Sequence, residues 1–179
     1  MHDPALSTAQ HRELIEALAL SHVLPHDTLP VEECLGRRLA VDVFSLIPLP
    51  PFTNSAMDGF AVRGEDLEGE GPWTLPVAGD IPAGDTRENR LEKGQAWRIM
   101  TGAPIPQGAD TVVKVEDTDH AAGIAQAPDT VEIRVAPTLG ANVRVAGEAL
   151  KAGSPVLEAG RILDGTALSA AASVGHGTL

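Results

Sequence analysis

Residues 48–62, PLPPFTNSAMDGFAV, join a rigid approach to a single carboxylate. Pro48, Pro50 and Pro51 each fix their own φ and push the preceding residue out of the helical region. Asn54, Ser55, Asp58 and Gly59 are turn formers whose side chains hydrogen-bond nearby backbone. Ala56 and Met57, between them, are too small or too soft to fill a core. A constrained approach, a compact turn and one carboxylate make a presented site centred on Asp58. The plainer alternative is a surface loop in which Asp58-Gly59 is an ordinary hairpin turn, and the length of the constrained segment weighs against it.

A second stretch, WRIMTGAPIPQGADTVVKVE at residues 97–116, has a different chemistry. A strand running to Thr101 would present its hydroxyl at the strand end, where it can donate to or accept from an oxyanion. Gly102 removes the side-chain barrier to a ligand's approach. The competing reading is that Thr-Gly-Ala-Pro simply terminates a strand. Several other chemistries are absent from the sequence. It contains no GxxxxGK[ST] phosphate loop, no His-Glu-x-x-His, no Cys-x-x-Cys and no GxSxG.

The elements that must hold these stretches follow from periodicity. Ser7 with Gln10 has capping-box spacing, and Leu14, Ile15 and Leu18 fall on one face of a helix to about Ser21. A helical turn over residues 31–35 stops at Gly36. Residues 38–44 alternate Leu39, Val41 and Val43 against Arg38, Ala40 and Asp42, as in a half-buried strand. Five short apolar runs follow, at residues 60–63, 73–78, 96–101, 111–116 and 130–136, separated by Gly, Pro, Asp and Asn clusters. A further β segment begins at Gly140 and takes in Val156 and Leu157 and then residues 161–163. Asp164 reads as the N-cap of a last helix through Val174 that stops at Gly175. The fold class is α+β and β-rich, a compact β module inserted into a discontinuous mixed α/β domain with short helices near both chain ends. The expected division is residues 1–47 with 140–179 for the discontinuous domain and 48–139 for the inserted module.

Composition narrows the function classes. The 179 residues are 43% hydrophobic but only 3% aromatic, with no Tyr, so Leu, Val, Ile and Ala must build the core and Trp73 and Trp97 pack locally. Net charge is −12, from 13 basic and 25 acidic residues with no basic stripe, which argues against nucleic acid and acidic membrane surfaces as partners. No apolar run approaches the ~18 residues of a membrane span, and the polar N-terminus is not a signal peptide, so a cytoplasmic location is expected. Cys34 is the only cysteine, without a disulfide or metal-ligand partner, and reads as a small buried hydrophobe.

Four segments, PLPPFTNSAMDGFAV, AGDIPAG at residues 78–84, RIMTGAPIPQGADTVVKVED at 98–117 and GANVRVAGEALKAGSPVLEAG at 140–160, resemble in order the amino-terminal part of the MoeA family, the molybdopterin molybdenumtransferases. The resemblance implies a transferase that inserts molybdate into adenylylated molybdopterin and releases AMP with the help of Mg2+. It also implies an elongated homodimer whose site lies between the pterin-nucleotide pocket of one subunit and the β-rich domain of the other. The molybdopterin adenylyltransferase is a further implied partner. Asp58 and Thr101 carry over as catalytic contributors, Asp58 also as a Mg2+ ligand, and Asn54, Ser55, Gly102 and Arg144 as substrate-binding positions. The residue types agree with this. A carboxylate suits a hard cation or the orientation of a water, Thr101 with nearby N–H groups suits an oxyanion, and Arg144 suits a phosphate or molybdate unless it is an ordinary surface ion-pairing residue.

Two departures stand out. Where the family reads Arg-x-x-Gly-Glu-Asp, this chain has Ala149 in the last position. The family also continues into a pocket domain and a carboxy-terminal domain, whereas this chain stops at Leu179, so by itself it is expected to be inactive. A non-catalytic interaction or scaffold module of the same fold is the alternative; Ala149 favours it, and the intact Asp58 and Thr101 oppose it.

Overall fold

The computed structural model describes residues 6–22, 25–123 and 126–179. Residues 1–5, where the reading of the N-terminus as no signal peptide begins, lie outside them. In chain order the elements are α1 (Thr8–Ser21), β1 (Val43–Phe44), β2 (Asn54–Ser55), β3 (Gly59–Val62), β4 (Trp73–Ile81), β5 (Ala96–Ile99), β6 (Thr111–Lys114), β7 (Thr130–Ile133), β8 (Val143–Arg144), β9 (Pro155–Leu157) and α2 (Gly165–Ser173). Short 3-10 turns lie at Val31–Glu33, Gly64–Leu67 and Val115–Asp117. The fold is α+β and β-rich, as the run of short strands implied.

One mixed sheet has the order β6-β3-β5-β4-β7, with β4 and β5 parallel and the other pairs antiparallel. Its two edges do not stay open. The segment after β6 turns onto β7: Asp119 N–H donates to Glu132 O at 3.1 Å and Arg134 N–H to Asp117 O at 2.8 Å. The outer edge of β6 is covered where Val112 N–H donates to Ala141 O at 3.0 Å. Curling the sheet this way pairs strand edges that would otherwise offer a template to other chains. Phe60, Val62, Val113, Val131 and Ile133 pack on one face, and Ala61, Ile81, Ile99 and Val112 on the other. Alternating side chains of β3 therefore meet two cores, which is why all four of its residues are buried.

A third core joins the two ends of the chain. Cys34, Leu39 and Val43 pack with Leu157, Leu163, Ala167 and Ala171. Backbone bonds tie the same segments together: Leu29 N–H to Leu179 O at 2.8 Å, Leu39 N–H to Arg161 O at 2.8 Å, and Leu163 N–H to Arg37 O at 2.8 Å. Cys34 is buried with its Sγ 3.3 Å from Pro30 O, the small-hydrophobe role expected of it. Both helix starts carry the predicted caps. Ser7 and Gln10 complete a capping box, and the Asp164 carboxylate accepts from Ala167 N–H at 2.7 Å.

Several expectations change. The runs at 111–116 and 130–136 are strand only to Lys114 and Ile133, where their partners end, and of residues 161–163 only Ile162 bridges, to Arg38. The strand foreseen over residues 38–44 is regular only at Val43–Phe44, and Val41 is exposed, because Leu39 and Asp42 bond to the 159–161 turn instead of to a continuous partner strand. The strand ending at Thr101 stops at Ile99, since Ala103 N–H turns back to Met100 O at 3.0 Å. β4 runs on to Ile81, so the AGDIPAG stretch is partly strand, with Gly79 making room for the Trp97 ring. The apolar side of α1 forms as patterned, but none of its residues is buried. No helix among the described residues is long and apolar enough to cross a membrane.

Candidate functional site

Asp58 enters β3 through a glycine that nothing else can replace. A Cβ on Gly59 would overlap Val113 O and come 2.9 Å from Lys114 Cα. Gly59 is the first residue of β3 and pairs with both Lys114 and Ile99, so Asp58-Gly59 is not a hairpin turn. Close approach of β6 thus sets where Asp58 leaves the sheet, and its side chain is exposed there.

Thr101 holds that carboxylate twice. Its N–H and its hydroxyl each donate to Asp58 Oδ1 at 2.7 Å. Charge-assisted bonds of this length favour the ionised acceptor. The Asp58 carboxyl accordingly lies below its ordinary value of 3.8, through the Thr101 hydroxyl first, then the Thr101 N–H, with a smaller push from the charge of Arg98 and opposition from partial burial. Among the described residues Oδ2 has no partner. The chemistry is that of an oriented anion on an exposed residue, with one oxygen spent on orientation and the other left without a protein partner.

β2 brings the sequence motifs side by side. On one edge Gly102 N–H donates to Ser55 O at 2.8 Å and Ser55 N–H to Ala103 O at 3.0 Å. On the other edge Asn54 pairs with Arg144 and Ser55 with Val143, and Ala56 N–H donates to Asn142 O at 2.9 Å. NSAMDG therefore lies between TGAP and NVR. Residues 140–144 bond to this side of the molecule rather than to the joined chain ends.

The individual site candidates occupy different settings. Arg144 is exposed and its guanidinium has no partner among the described residues. Asn54 is 7% exposed and its amide donates to Phe52 O, while Ser55 is fully buried with its hydroxyl donating to Met57 O at 2.6 Å. Those two side chains hold the turn. Gly102 has φ +81 and nothing within 4 Å of where a Cβ would stand, so left-handed backbone, not a tight approach, calls for glycine there. Ala149 is exposed, and its N–H donates to Leu49 O at 3.0 Å.

Sequence reasoning passed over Arg98. Its side chain is 9% exposed and donates from Nη1 to Asp80 Oδ2 at 2.7 Å, yet it shares with Asp58, Phe60, Met100 and Val115 the lining of a cavity of about 30 Å³. A basic residue inside the apolar run WRIM is the signal that marks it. Among the described residues no group of three or more His, Cys, Asp or Glu side chains converges on one point. At this site the described residues present one carboxylate, Asp58. That suits Mg2+, which is commonly held by one or two carboxylates with water and substrate phosphate completing its shell.

The model of the MoeA N-terminal region, domains I and II, matches residues 6–175. The chain belongs to the MoeA family. A molybdopterin molybdenumtransferase 2 of Mycobacterium tuberculosis is 45% identical over 151 residues, covering 83% of this chain and 36% of that relative. The molybdopterin molybdenumtransferase of Synechococcus elongatus is 38% identical over 178 residues, covering 97% of this chain and 43% of its own length. A crystal structure of the molybdopterin biosynthesis MoeA protein of Pyrococcus horikoshii superposes with a TM-score of 0.81 at 29% identity, covering 94% of this chain and 42% of that one. The chain thus spans 36% to 43% of the length of these curated relatives. The family read from the four motifs is the one that matches.

Proposed function

We propose that this chain supplies the domain I and II share of a molybdopterin molybdenumtransferase that inserts molybdate into adenylylated molybdopterin with release of AMP. The observation that carries the reading is the Asp58 carboxylate clasped by Thr101 at 2.7 Å, three residues after the strand β2 that pairs with Arg144. A surface turn with no chemical task has no need of an oriented, ionised carboxylate with an oxygen to spare. The reading divides the chain into residues 1–47 with 140–179 and an inserted module at 48–139, with 140–144 acting as the seam between them.

In this reading Asp58 would hold Mg2+ through its free oxygen, while Thr101 keeps the carboxylate oriented and charged. Mg2+ held there would supply charge to offset that on the phosphate and molybdate oxygens. Arg144 takes a phosphate or molybdate oxygen by paired N–H donors. Asn54, Ser55 and Gly102 act by holding the backbone that carries these groups. The cavity beside Asp58, about 30 Å³, has room for about one water. A pterin nucleotide would therefore lie against the face of the module and complete its enclosure on a second subunit of a homodimer, leaving residues 1–179 alone without turnover. A cytoplasmic enzyme supplied by the molybdopterin adenylyltransferase is the setting that goes with this reading.

The test is AMP release from adenylylated molybdopterin, with molybdate and Mg2+, by the whole protein and by its Asp58→Ala variant. The reading expects the variant to lose most of the release and residues 1–179 alone to give none. Release by residues 1–179 alone would refute the shared site. The exposed Ala149, in place of the family's carboxylate, favours a second reading as a non-catalytic scaffold. Co-expression with a partner whose own β module is disabled separates the two. Rescue that survives Asp58→Ala supports the scaffold.

A further inference from the structure

We propose that Arg98, clamped by Asp80, is a positioning residue that keeps the Asp58 carboxylate seated on Thr101; this rests on reading Asp58 as a site residue. Register places the groups on one face. Phe60 stands opposite Arg98, Asp80 pairs with Arg98 from the other side, and Asp58, two residues before Phe60, returns to the same face. Asp58 and Arg98 then line one small cavity together with the apolar side chains of Phe60, Met100 and Val115. Arg98 faces Asp58 from the nearly buried side of this lining, while water screens Asp58 from the other, so the attraction is modest.

The charges of this cluster are unequally fixed. Arg98 is almost buried, and a buried cation is tolerated only when it is balanced. Asp80 Oδ2 balances it at 2.7 Å, while Asp80 Oδ1 is buried without a hydrogen-bond partner among the described residues. The bond to Oδ2 therefore holds Asp80 on the guanidinium. Asp58 is the exposed member, so it is the one able to swing away. Without the guanidinium, two carboxylates would share that face with no cation between them. Repulsion would then act on Asp58 and on its two bonds to Thr101.

The test uses the 179-residue chain and needs no turnover. The Thr101 amide, whose proton bonds Asp58, is followed by NMR in Arg98→Gln, Arg98→Lys and Asp80→Asn. Val131→Ala, a truncation in the buried core that removes no charge, serves as the control for lost stability. In Arg98→Gln the Thr101 amide is expected to exchange about fivefold faster, the equivalent of about 1 kcal/mol, with its proton resonance moving upfield. Arg98→Lys should recover most of both changes, and Val131→Ala should leave the resonance in place. An unchanged Thr101 amide in Arg98→Gln, an equal change in Val131→Ala, or no recovery in Arg98→Lys would each overturn the proposal. Should Arg98→Gln not fold, Asp80→Asn reads the same amide, and no change there overturns it as well. A shifted amide together with AMP release untouched by Asp58→Ala would sustain the positioning role and refute only the function proposed for Asp58.

Discussion

The contact between Asp58 and Thr101 can be weighed by a double-mutant cycle. Thr101→Val removes the hydroxyl and keeps both the shape and the N–H, while Asp58→Asn removes the charge. The hydroxyl bond is 2.7 Å long and charge-assisted, a class worth about 1.5–3 kcal/mol when shielded from water. Asp58 is exposed, so solvent screening brings the expected coupling down to about 1 kcal/mol. Thermal or urea unfolding of the four proteins at pH 7 measures it, and the single Thr101→Val change should lower the Tm by about 2–4 °C in a chain of this size. The pH dependence has a definite sign. The folded Asp58 pKa lies below 3.8, so the ionised state contributes stability at all pH above that unfolded value. The contribution is lost as pH falls from 3.8 through the lowered folded value. A coupling under about 0.3 kcal/mol at pH 7, the level at which unlinked sites simply add, would refute the reasoning. So would a coupling that stayed constant through the acid range.

Other perturbations test the frame around this contact. Gly59→Ala forces a methyl into Val113 O and should cost more than about 3 kcal/mol, beyond ordinary overpacking, because the obstacle is backbone; a Tm within a few degrees of the parent, read by circular dichroism, would contradict the β3–β6 spacing. Gly102→Ala meets open space but must hold φ +81, so a loss of about 1–2 kcal/mol in urea unfolding is expected, with no change in the core. Leu18→Glu, on a helix with no buried residue, should change stability by no more than about 0.5 kcal/mol. A larger loss would mean that α1 is covered within the 179-residue chain.

Much of the fold is legible in the sequence. Capping at Ser7 and Asp164 was legible because a cap is a local bond between residues three apart. The short strands were legible because β-branched runs bounded by Gly and Pro have few other uses. Their ends were not, since a strand stops where its partner stops. Ile99 ends β5 because Met100 and Thr101 turn toward Ala103 and Asp58, a choice made outside the run itself. Val41 failed for the same reason: alternation assumes a continuous neighbour, and residues 159–161 provide only a turn.

At the site, residue types singled out Asp58 and Thr101 as chemically able, because a carboxylate after a braced approach and a hydroxyl beside a glycine each have narrow uses, and the family resemblance added Arg144. Which of them meet was decided by the sheet. Asp58 and Thr101 are 43 positions apart and touch only because β3 and β5 are adjacent. Asn54 and Ser55, polar in composition, face inward because β2 is held on both edges, and a buried hydroxyl must bond its own turn. Arg98 reads as one more surface cation until its neighbours are known. Side-chain chemistry is a local property that the chain states openly, whereas burial, pairing and the sharing of one face by distant residues are collective properties that exist only after the strands have met.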